Sequence, residues 1–346
     1  MSDDTIDARM RDEIISKLIE RLRDHYIYPD VALEMVQMVQ QRQEADEYAH
    51  LTSGTEFCLL LTTQLQEVCH DKHLHVRYSL EPVDMQEPGA DLEELSPRER
   101  ERQYEMALHN NFGVMRSERL PGNVGYLDLH HFYRAMFVDA CETMIAAIQQ
   151  LVTTEALIID LRHNGGGSPH MLSLLASYFF AHPIQLGSIQ WRTGELQQYW
   201  TLPYVPGRRY LDKPLYLLLS PQTFSGAEAF AYDLKQLGRA TLIGESTKGG
   251  AHLVKVWPLS EHVRAALPTG NALNPRTGTN WEGCGVTPDI QVPHEQALRV
   301  AHIAALKHLQ NAINTYPAAI QSNLAEEVQV ALAQYERGEE EVGCPR

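Results

Sequence analysis

Apolar residues in the first 75 positions recur at the three- and four-residue spacing of amphipathic helices. This spacing predicts helices over residues 7–24, 30–48 and about 54–70. The short segment VRYSL that follows is predicted to be extended. The pattern therefore predicts a small N-terminal helical bundle over residues 1–80.

The pattern changes to strands that alternate with helices at about residue 120. Strands are predicted at NVGYLDLHHF, ALIIDL, PLYLLLS and ATLIGE, of which ALIIDL and PLYLLLS are expected to be buried. Helices are predicted at 135–152, 169–180 and 226–237. Such alternation indicates an α/β domain with a mainly parallel sheet, which we place at residues 120–296. Residues 81–119 are interpreted as an acidic linker or crossover with a helix at about 101–117, and residues 297–346 as a C-terminal helical extension that ends in an acidic tail.

Composition narrows the classes of partner. The chain has 346 residues, 44% apolar and 21% charged, and its formal charge is 29 − 45 = −16. Such an acidic surface repels phosphate backbones, so we expect no nucleic-acid partner.

The chain start lacks a signal-peptide pattern and no apolar stretch is long enough to cross a bilayer, so we expect no membrane partner and a cytoplasmic location. The number of cysteines is odd and no CxxC occurs, which predicts reduced thiols at Cys58, Cys69, Cys141, Cys284 and Cys344.

A serine follows a buried strand and opens a helix in SPQTFSGAEAFAYDL. The Ser225 hydroxyl would lie at the positive end of the helix dipole, which favours a nucleophile whose attack generates an oxyanion. The sequence Ser-Gly-Ala-Glu is also a capping box, with Ser225 at the N-cap and Glu228 at N3. For this motif taken alone, capping is the favoured interpretation.

Three glycines follow a buried strand in IIDLRHNGGGS. The backbone of Gly165–Gly167 can point successive N–H groups into one concavity, which would serve as an oxyanion hole or bind phosphate. The run matches neither the dinucleotide fingerprint nor the phosphate-binding loop. A flexible turn is the alternative.

Histidines and one lysine are the candidates for a general base. His70, His73 and His75 form a cluster, but they lack the spacing of a zinc site, so we predict no metal. Lys248 and His252 flank the turn in GESTKGGAH, and a desolvated Lys248 would also serve as a base, although a surface lysine is the default interpretation.

One acidic residue stands between turn glycines in TNWEGCGVTPDI. Glu282 is placed to orient an imidazole or to contact the amino end of a peptide. A solvated loop acid is the alternative.

The segments HDKHLHV, VGYLDL, IIDLRHNGGGS, TFSGAEAFAYDLKQLGRATLIGESTKGGAH and TGTNWEGCGVTPDI, taken in this order, resemble the carboxy-terminal-processing (tail-specific) serine peptidases. The likeness is to the branch that includes the modules of interphotoreceptor retinoid-binding protein and the catalytic domain of tricorn protease. The resemblance implies a crotonase/ClpP-like β/α catalytic domain preceded by a small helical bundle.

The resemblance also implies roles for particular residues. Ser225 matches the nucleophile, His73 the base and Glu282 the acid, while the Gly166 and Gly226 N–H groups match the oxyanion donors. Supporting positions are Lys72, Glu228 and Lys248. In the Ser/Lys peptidases the lysine aligns with Gly250, two positions beyond Lys248, so the choice between His73 and Lys248 stays open.

The activity implied is hydrolysis of peptide bonds through an acyl-enzyme, with a peptide or protein substrate and without a metal or organic cofactor. The same resemblance makes a homo-oligomer plausible. The interval between the helical and sheet parts is too short for the PDZ module that the family often carries. Alternatives are a non-catalytic binding protein for apolar ligands such as retinoids or fatty acids, and a crotonase-like acyl-thioester enzyme.

Overall fold

The computed structural model describes residues 4–89 and 94–337, and the chain divides into two compact units. The first unit contains the chain up to Tyr104, Gly187–Gln198 and Gly250–Gly283. The second contains Glu105–Leu186, Tyr199–Gly249 and the chain from Cys284 onward. Residues 90–93 of the expected linker, Cys344 and the acidic tail beyond residue 337 lie outside the described residues.

The α-helices of the described residues are α1 (Ala8–His25), α2 (Pro29–Glu44), α3 (Gly54–Cys69), α4 (Pro97–His109), α5 (Val138–Leu151), α6 (Pro169–Ala176), α7 (Gly226–Gln236), α8 (Ala297–Ala312) and α9 (Ala318–Glu336). The strands are β1 (His75–Tyr78), β2 (Val114–Leu120), β3 (Val124–Leu129), β4 (Ala156–Asp160), β5 (Gln185–Trp191), β6 (Leu196–Trp200), β7 (Leu215–Leu219), β8 (Thr241–Gly244), β9 (His252–Ser260), β10 (Val263–Leu273) and β11 (Ile290–Gln291). No described helix is both long and apolar enough to cross a membrane.

The first unit combines the helices α1–α3 with an antiparallel sheet. Side-chain caps begin two of these helices: Asp7 accepts the Met10 N–H of α1 at 2.8 Å and Ser53 accepts the Glu56 N–H of α3 at 3.2 Å. The sheet has the strand order β1-β10-β5-β6, with β9 paired to β10. Trp257 of β9 packs in one apolar core with the buried faces of the three helices.

The sequence did not predict several of these strands. The β9–β10 hairpin and the β5–β6 pair were not assigned, and the helix expected at 101–117 ends at His109. The helix does not continue to residue 117, because Asn111 and Phe112 have positive φ angles of 45° and 50°, which lie outside the right-handed helical region. The first unit thus takes its β9–β10 hairpin from the range that the sequence assigned to the sheet domain.

The second unit is built on a six-stranded sheet in the order β11-β8-β7-β4-β3-β2. All neighbouring strands are parallel except β2 and β3. Every residue of the central strands β4 and β7 is buried, as expected for parallel strands covered on both faces. The expected mixed α/β fold with a mainly parallel sheet is therefore confirmed.

Two helices from the C-terminal part of the chain pack on this sheet. Ala301 and Leu306 of α8 and Val328 of α9 are buried with Ile158 of β4 and Leu218 of β7 in one apolar cluster. The predicted C-terminal helical extension therefore contributes to the core of the second unit.

We expect the core of the first unit to be sensitive to truncation at Leu61. This α3 side chain is fully buried, so Leu61→Ala should lower the free energy of unfolding by about 2–5 kcal/mol because of lost burial and the remaining cavity. Leu59, on the same helix, is 65% exposed, and Leu59→Ala should change it by no more than about 0.5 kcal/mol. Urea unfolding of both variants measures the difference, and equal effects would contradict the burial of Leu61.

Candidate active site

Ser225 has an unusual backbone conformation. The turn after β7 leads to this residue, and α7 begins at the next one. Its φ of 55° and ψ of −119° lie in a sparsely populated region for a residue with a side chain. Such a conformation costs about 1–3 kcal/mol and persists only where neighbouring contacts hold it.

The buried carboxylate of Glu228 provides those contacts. Its Oε2 accepts the Ser225 N–H at 2.8 Å, which is one half of the predicted capping box. Its Oε1 accepts the Thr247 hydroxyl at 2.5 Å and the Gly249 N–H at 2.7 Å. Glu228 therefore joins the serine turn to the segment that follows β8.

The glycine run lies directly against the serine turn. Gly166 has a φ of +100°, and a Cβ atom there would lie 2.7 Å from the Gly226 nitrogen and 2.9 Å from the Ser225 Cβ. Only glycine allows the two backbones to approach this closely without strain. The fully buried Asn164 also joins the glycine run to the serine turn, because its backbone carbonyl accepts the Phe224 N–H at 3.0 Å.

The backbone N–H groups differ in their availability to a ligand. The Gly166 N–H donates to Asn164 Oδ1 at 2.8 Å. Within the described part of the chain, no acceptor is found for the N–H of Gly226 or of Gly167. These two amides are neighbours, since a Cβ on Gly226 would lie 2.9 Å from the Gly167 nitrogen. The pair with unused donors is thus Gly226 and Gly167, one position beyond Gly166.

A buried ion pair holds the strand end that leads to the glycine run. Asp160, at the end of β4, accepts hydrogen bonds from Arg162 Nε at 2.9 Å and Nη2 at 2.6 Å. It also accepts the Tyr126 hydroxyl at 2.8 Å. Burial together with the Asp160 charge raises the pKa of Tyr126, so that its hydroxyl stays a donor. This network stabilises the strand end and has no evident chemical role.

His73 occupies a turn of the first unit, between α3 and β1. Its side chain is buried, and its backbone N–H donates to Asp71 Oδ1 at 2.8 Å. The His73 carbonyl accepts a hydrogen bond from His75 Nδ1 at 2.9 Å. His70 adopts the left-handed conformation that ends α3. The three histidines therefore have separate structural settings and do not converge as ligands.

Glu282, also in the first unit, is part of a cluster around His252. Its Oε2 accepts the Ala251 N–H at 2.5 Å and lies 3.6 Å from His252 Nδ1. Burial raises the pKa of Glu282, and the His252 charge counteracts this shift. Glu282 is therefore engaged with protein donors and is not an ordinary solvated loop acid.

Comparison with known proteins shows the family to which the chain belongs. Residues 123–292 match the model of peptidase family S41, and residues 8–110 match that of the N-terminal domain of this family in eukaryotic IRBP. The chain belongs to peptidase family S41. The S41 match contains Ser225, the glycine run and Glu282, and the N-terminal match contains His73.

Individual S41 relatives are distant. The carboxy-terminal-processing protease of Bartonella bacilliformis is 30% identical over 178 residues, which are 50% of this chain and 40% of that protein. The tricorn protease of Thermoplasma volcanium is 27% identical over 193 residues, 51% of this chain and 16% of that protein. The chain thus spans less than half the length of these curated relatives.

A solved structure extends the likeness of fold. A lipoprotein of Streptococcus agalactiae superimposes with a TM-score of 0.60 at 17% identity, over 86% of this chain and 96% of that one. At this identity the likeness shows the fold alone.

The lysines singled out in the sequence are both exposed. Lys248 Nζ lies 4.5 Å from the centre of the Phe224 ring, and the backbone N–H of Lys248 donates to the Thr223 carbonyl. Because an amine base needs a desolvated setting, the exposure of Lys248 disfavours a Ser/Lys pair in this S41 member. Lys72 lies in the turn before His73.

Two groups among the described residues have side chains near enough for a metal ion. These are Asp71 with His252 and Glu282, and Glu245 with His294 and Glu295. Neither contains His70, His73 or His75, and each has a histidine Nδ1 at hydrogen-bond distance from a carboxylate, 2.6 Å and 2.5 Å respectively. Hydrogen bonds therefore explain both groups.

Sequence reasoning missed three residues that organise the site. Asn164 precedes the glycine run, and its side chain accepts the Gly166 N–H. Asp71 stands two residues before His73 and accepts the His73 N–H. The Thr247 hydroxyl donates to Glu228 and accepts the Val286 N–H. The local signal for Asn164 and Asp71 was their position, since Asn and Asp side chains commonly bind a backbone N–H two residues ahead.

We expect Gly166 to be intolerant of any side chain. Gly166→Ala adds a Cβ that meets backbone atoms of the serine turn at a positive φ, so it should lower the free energy of unfolding by at least about 1–3 kcal/mol. Gly165 is the matched control, because a Cβ there meets nothing within 4 Å, and Gly165→Ala should change it by about 0.5 kcal/mol or less. Thermal unfolding measures both variants. A stable Gly166→Ala protein would contradict the close apposition of the two turns.

Proposed function

We propose that this protein is a serine-type peptidase, which hydrolyses peptide bonds by acyl-enzyme chemistry with Ser225 as the nucleophile. The observation that carries the proposal is the positive φ of Ser225. A serine that only caps a helix adopts the extended region, so capping gives no reason for this strain. Strain that neighbouring groups maintain is typical of a reactive turn.

The surroundings of Ser225 suit the charge that such a reaction develops. Attack on a peptide carbonyl produces an oxyanion, which requires preorganised donors. Gly226, directly after the serine, and Gly167 have N–H groups without an acceptor among the residues that the structure describes. We assign these two as the donors in place of Gly166, each worth about 3–4 kcal/mol of transition-state stabilisation.

His73 is the proposed general base. The His73 side chain is buried and its backbone N–H is bound by Asp71, and both features restrict the orientation of the imidazole. The position of His73 within the N-terminal family match also supports this role. The imidazole removes the proton from Ser225, then protonates the leaving amine, and water completes hydrolysis. This chemistry requires a hydrogen-bond distance of about 2.6–3.2 Å between the two side chains during the reaction.

Glu282 is the proposed acid that supports the histidine, and a peptide or protein is the proposed substrate. The names of the relatives, carboxy-terminal-processing protease and tricorn protease, support a peptide substrate. The likeness to retinoid-binding modules supports the rival binding function only through the N-terminal match. The cytoplasmic location and the homo-oligomer stay predictions of the sequence.

Substitution of the proposed nucleophile and base tests the mechanism. Ser225→Ala and His73→Ala should each lower kcat on an unstructured peptide by at least about 10³-fold, because each removes a group that acts in every turnover. Lys248→Met is the control, and its kcat should stay within about threefold of the wild type. A serine-reactive fluorophosphonate should label the wild type but not Ser225→Ala.

Two outcomes would overturn the proposal. Wild-type turnover in both Ser225→Ala and His73→Ala would remove the mechanism, and loss of activity in Lys248→Met alone would make lysine the base. A folded wild type that neither cleaves peptides nor takes the label but binds retinol with one-to-one stoichiometry would favour the binding function.

A further inference from the structure

The strongest feature outside the proposed chemistry is a buried imidazole between two carboxylates in the first unit. His252, at the start of β9, is 6% exposed. Its Nδ1 donates to Asp71 Oδ2 at 2.6 Å, and the same nitrogen lies 3.6 Å from Glu282 Oε2. Asp71 is 1% exposed, so its charge has almost no access to solvent.

Both carboxylates are tied to residues of the proposed mechanism. Asp71 uses its other oxygen, Oδ1, to accept the His73 N–H at 2.8 Å. Glu282 is itself the proposed acid, and its Oε2 accepts the N–H of Ala251, the residue before His252. His252 thus stands in the middle of a chain of contacts from the His73 backbone to the Glu282 side chain.

Backbone contacts on the Glu282 side place this carboxylate near β9. Trp281 Nε1 donates to the Gly250 carbonyl at 2.8 Å, and the Glu282 N–H donates to Asn280 Oδ1 at 2.9 Å. These contacts fix the loop, but the orientation of the carboxylate itself depends on Ala251 and His252.

The geometry favours a hydrogen-bonded link over a metal site. Two nitrogen or oxygen ligands of tetrahedral zinc, each about 2.0–2.2 Å from the metal, lie about 3.3 Å apart. The 2.6 Å between His252 Nδ1 and Asp71 is much shorter and is typical of a charge-assisted hydrogen bond.

We propose that His252 is a positioning residue, a cationic link that holds the His73 turn, through Asp71, and the Glu282 carboxylate in one fixed arrangement. This inference rests on the proposed function, because it assigns His73 and Glu282 their chemical roles.

Three titratable groups of the described residues face His252. They are Asp71 from the turn after α3, Glu282 from the loop after β10, and Tyr28 from the residue before α2, whose hydroxyl lies 3.2 Å from Nε2. Burial by itself lowers the pKa of His252, but the hydrogen bond and charge of Asp71 and the charge of Glu282 outweigh it, so the pKa is raised above 6.5. The link is therefore charged at low pH and weakens as the pH rises through this raised pKa.

Loss of the proton changes the two contacts differently. Neutral His252 keeps its Nδ1–H and so still donates to Asp71, while Nε2 accepts the Tyr28 hydroxyl. The attraction to Glu282 is lost, because it depends on the positive charge. The expected consequence is an alkaline limb in the pH profile of kcat that belongs to His252.

The test compares His252→Asn with a control at another buried histidine. His302 is 3% exposed and is hydrogen-bonded to the Tyr335 hydroxyl and the Pro121 carbonyl, and no carboxylate partner is found for it among residues 4–89 and 94–337. His252→Asn should lower kcat by about 10²-fold with KM within about threefold, and should remove the alkaline limb. His302→Asn should keep both kcat and the shape of the profile per folded molecule. A His252→Asn enzyme with lowered thermal stability but wild-type kcat and pH profile would show a merely structural role and overturn the proposal.

A second measurement does not depend on activity. The imidazole resonance of His252, assigned by its absence in His252→Asn, should titrate with a pKa above 6.5, and this pKa should fall in Glu282→Gln. An unchanged pKa in Glu282→Gln would overturn the link even if Ser225 proves to be the nucleophile. If instead Ser225→Ala keeps wild-type turnover, the proposed function fails while this titration still reports on the link. Stoichiometric binding of Zn²⁺ to the wild type, absent in His252→Asn, would replace the link with a metal site.

Discussion

The arrangement around Ser225 depends on one buried carboxylate. Removing Glu228 from water costs several kcal/mol, which only complete hydrogen bonding offsets. The structure provides three donors, from Ser225, Thr247 and Gly249. The same three bonds fix the strained serine turn to a segment about 20 residues further along the chain. A capping box alone would not require the positive φ of Ser225. Glu228 therefore does more than cap α7, because it also stabilises this strained conformation of Ser225.

The sequence predicted the parts of the fold whose signals are local. The strands β4 and β7 are short apolar runs between turns, and the first three helices have clear periodicity, so their limits were correct within a few residues. The β9–β10 hairpin was missed because its signal is interrupted. Pro258 and Pro268 lie within these strands, and the register shifts after each of Val263 and Pro268. Such strands are recognised by their partners, which are distant in sequence.

The candidate site shows the same division. Ser225 and the glycine run were identifiable because each follows a buried strand at a turn. The sequence could not show whether the N–H of Gly166 or that of Gly167 is available to a ligand. That depends on the Asn164 side chain, which accepts the Gly166 N–H. The contact between Asp71 and His252 joins residues 181 positions apart, so no local pattern could indicate it. Residue types were therefore predictable, whereas the hydrogen bonds that decide their roles were not.

The buried Glu228 and the half-buried Glu282 are stabilised in different ways. The donors to Glu228 include two backbone amides and a hydroxyl, and these three groups do not change charge near neutral pH. Glu282 accepts backbone N–H groups of Ala251 and His252 and has the His252 imidazole 3.6 Å away, and burial raises its pKa. An acid that supports a catalytic histidine has to be ionised at the working pH. Since histidine changes charge in this range, His252 makes the proposed Glu282 arrangement sensitive to pH.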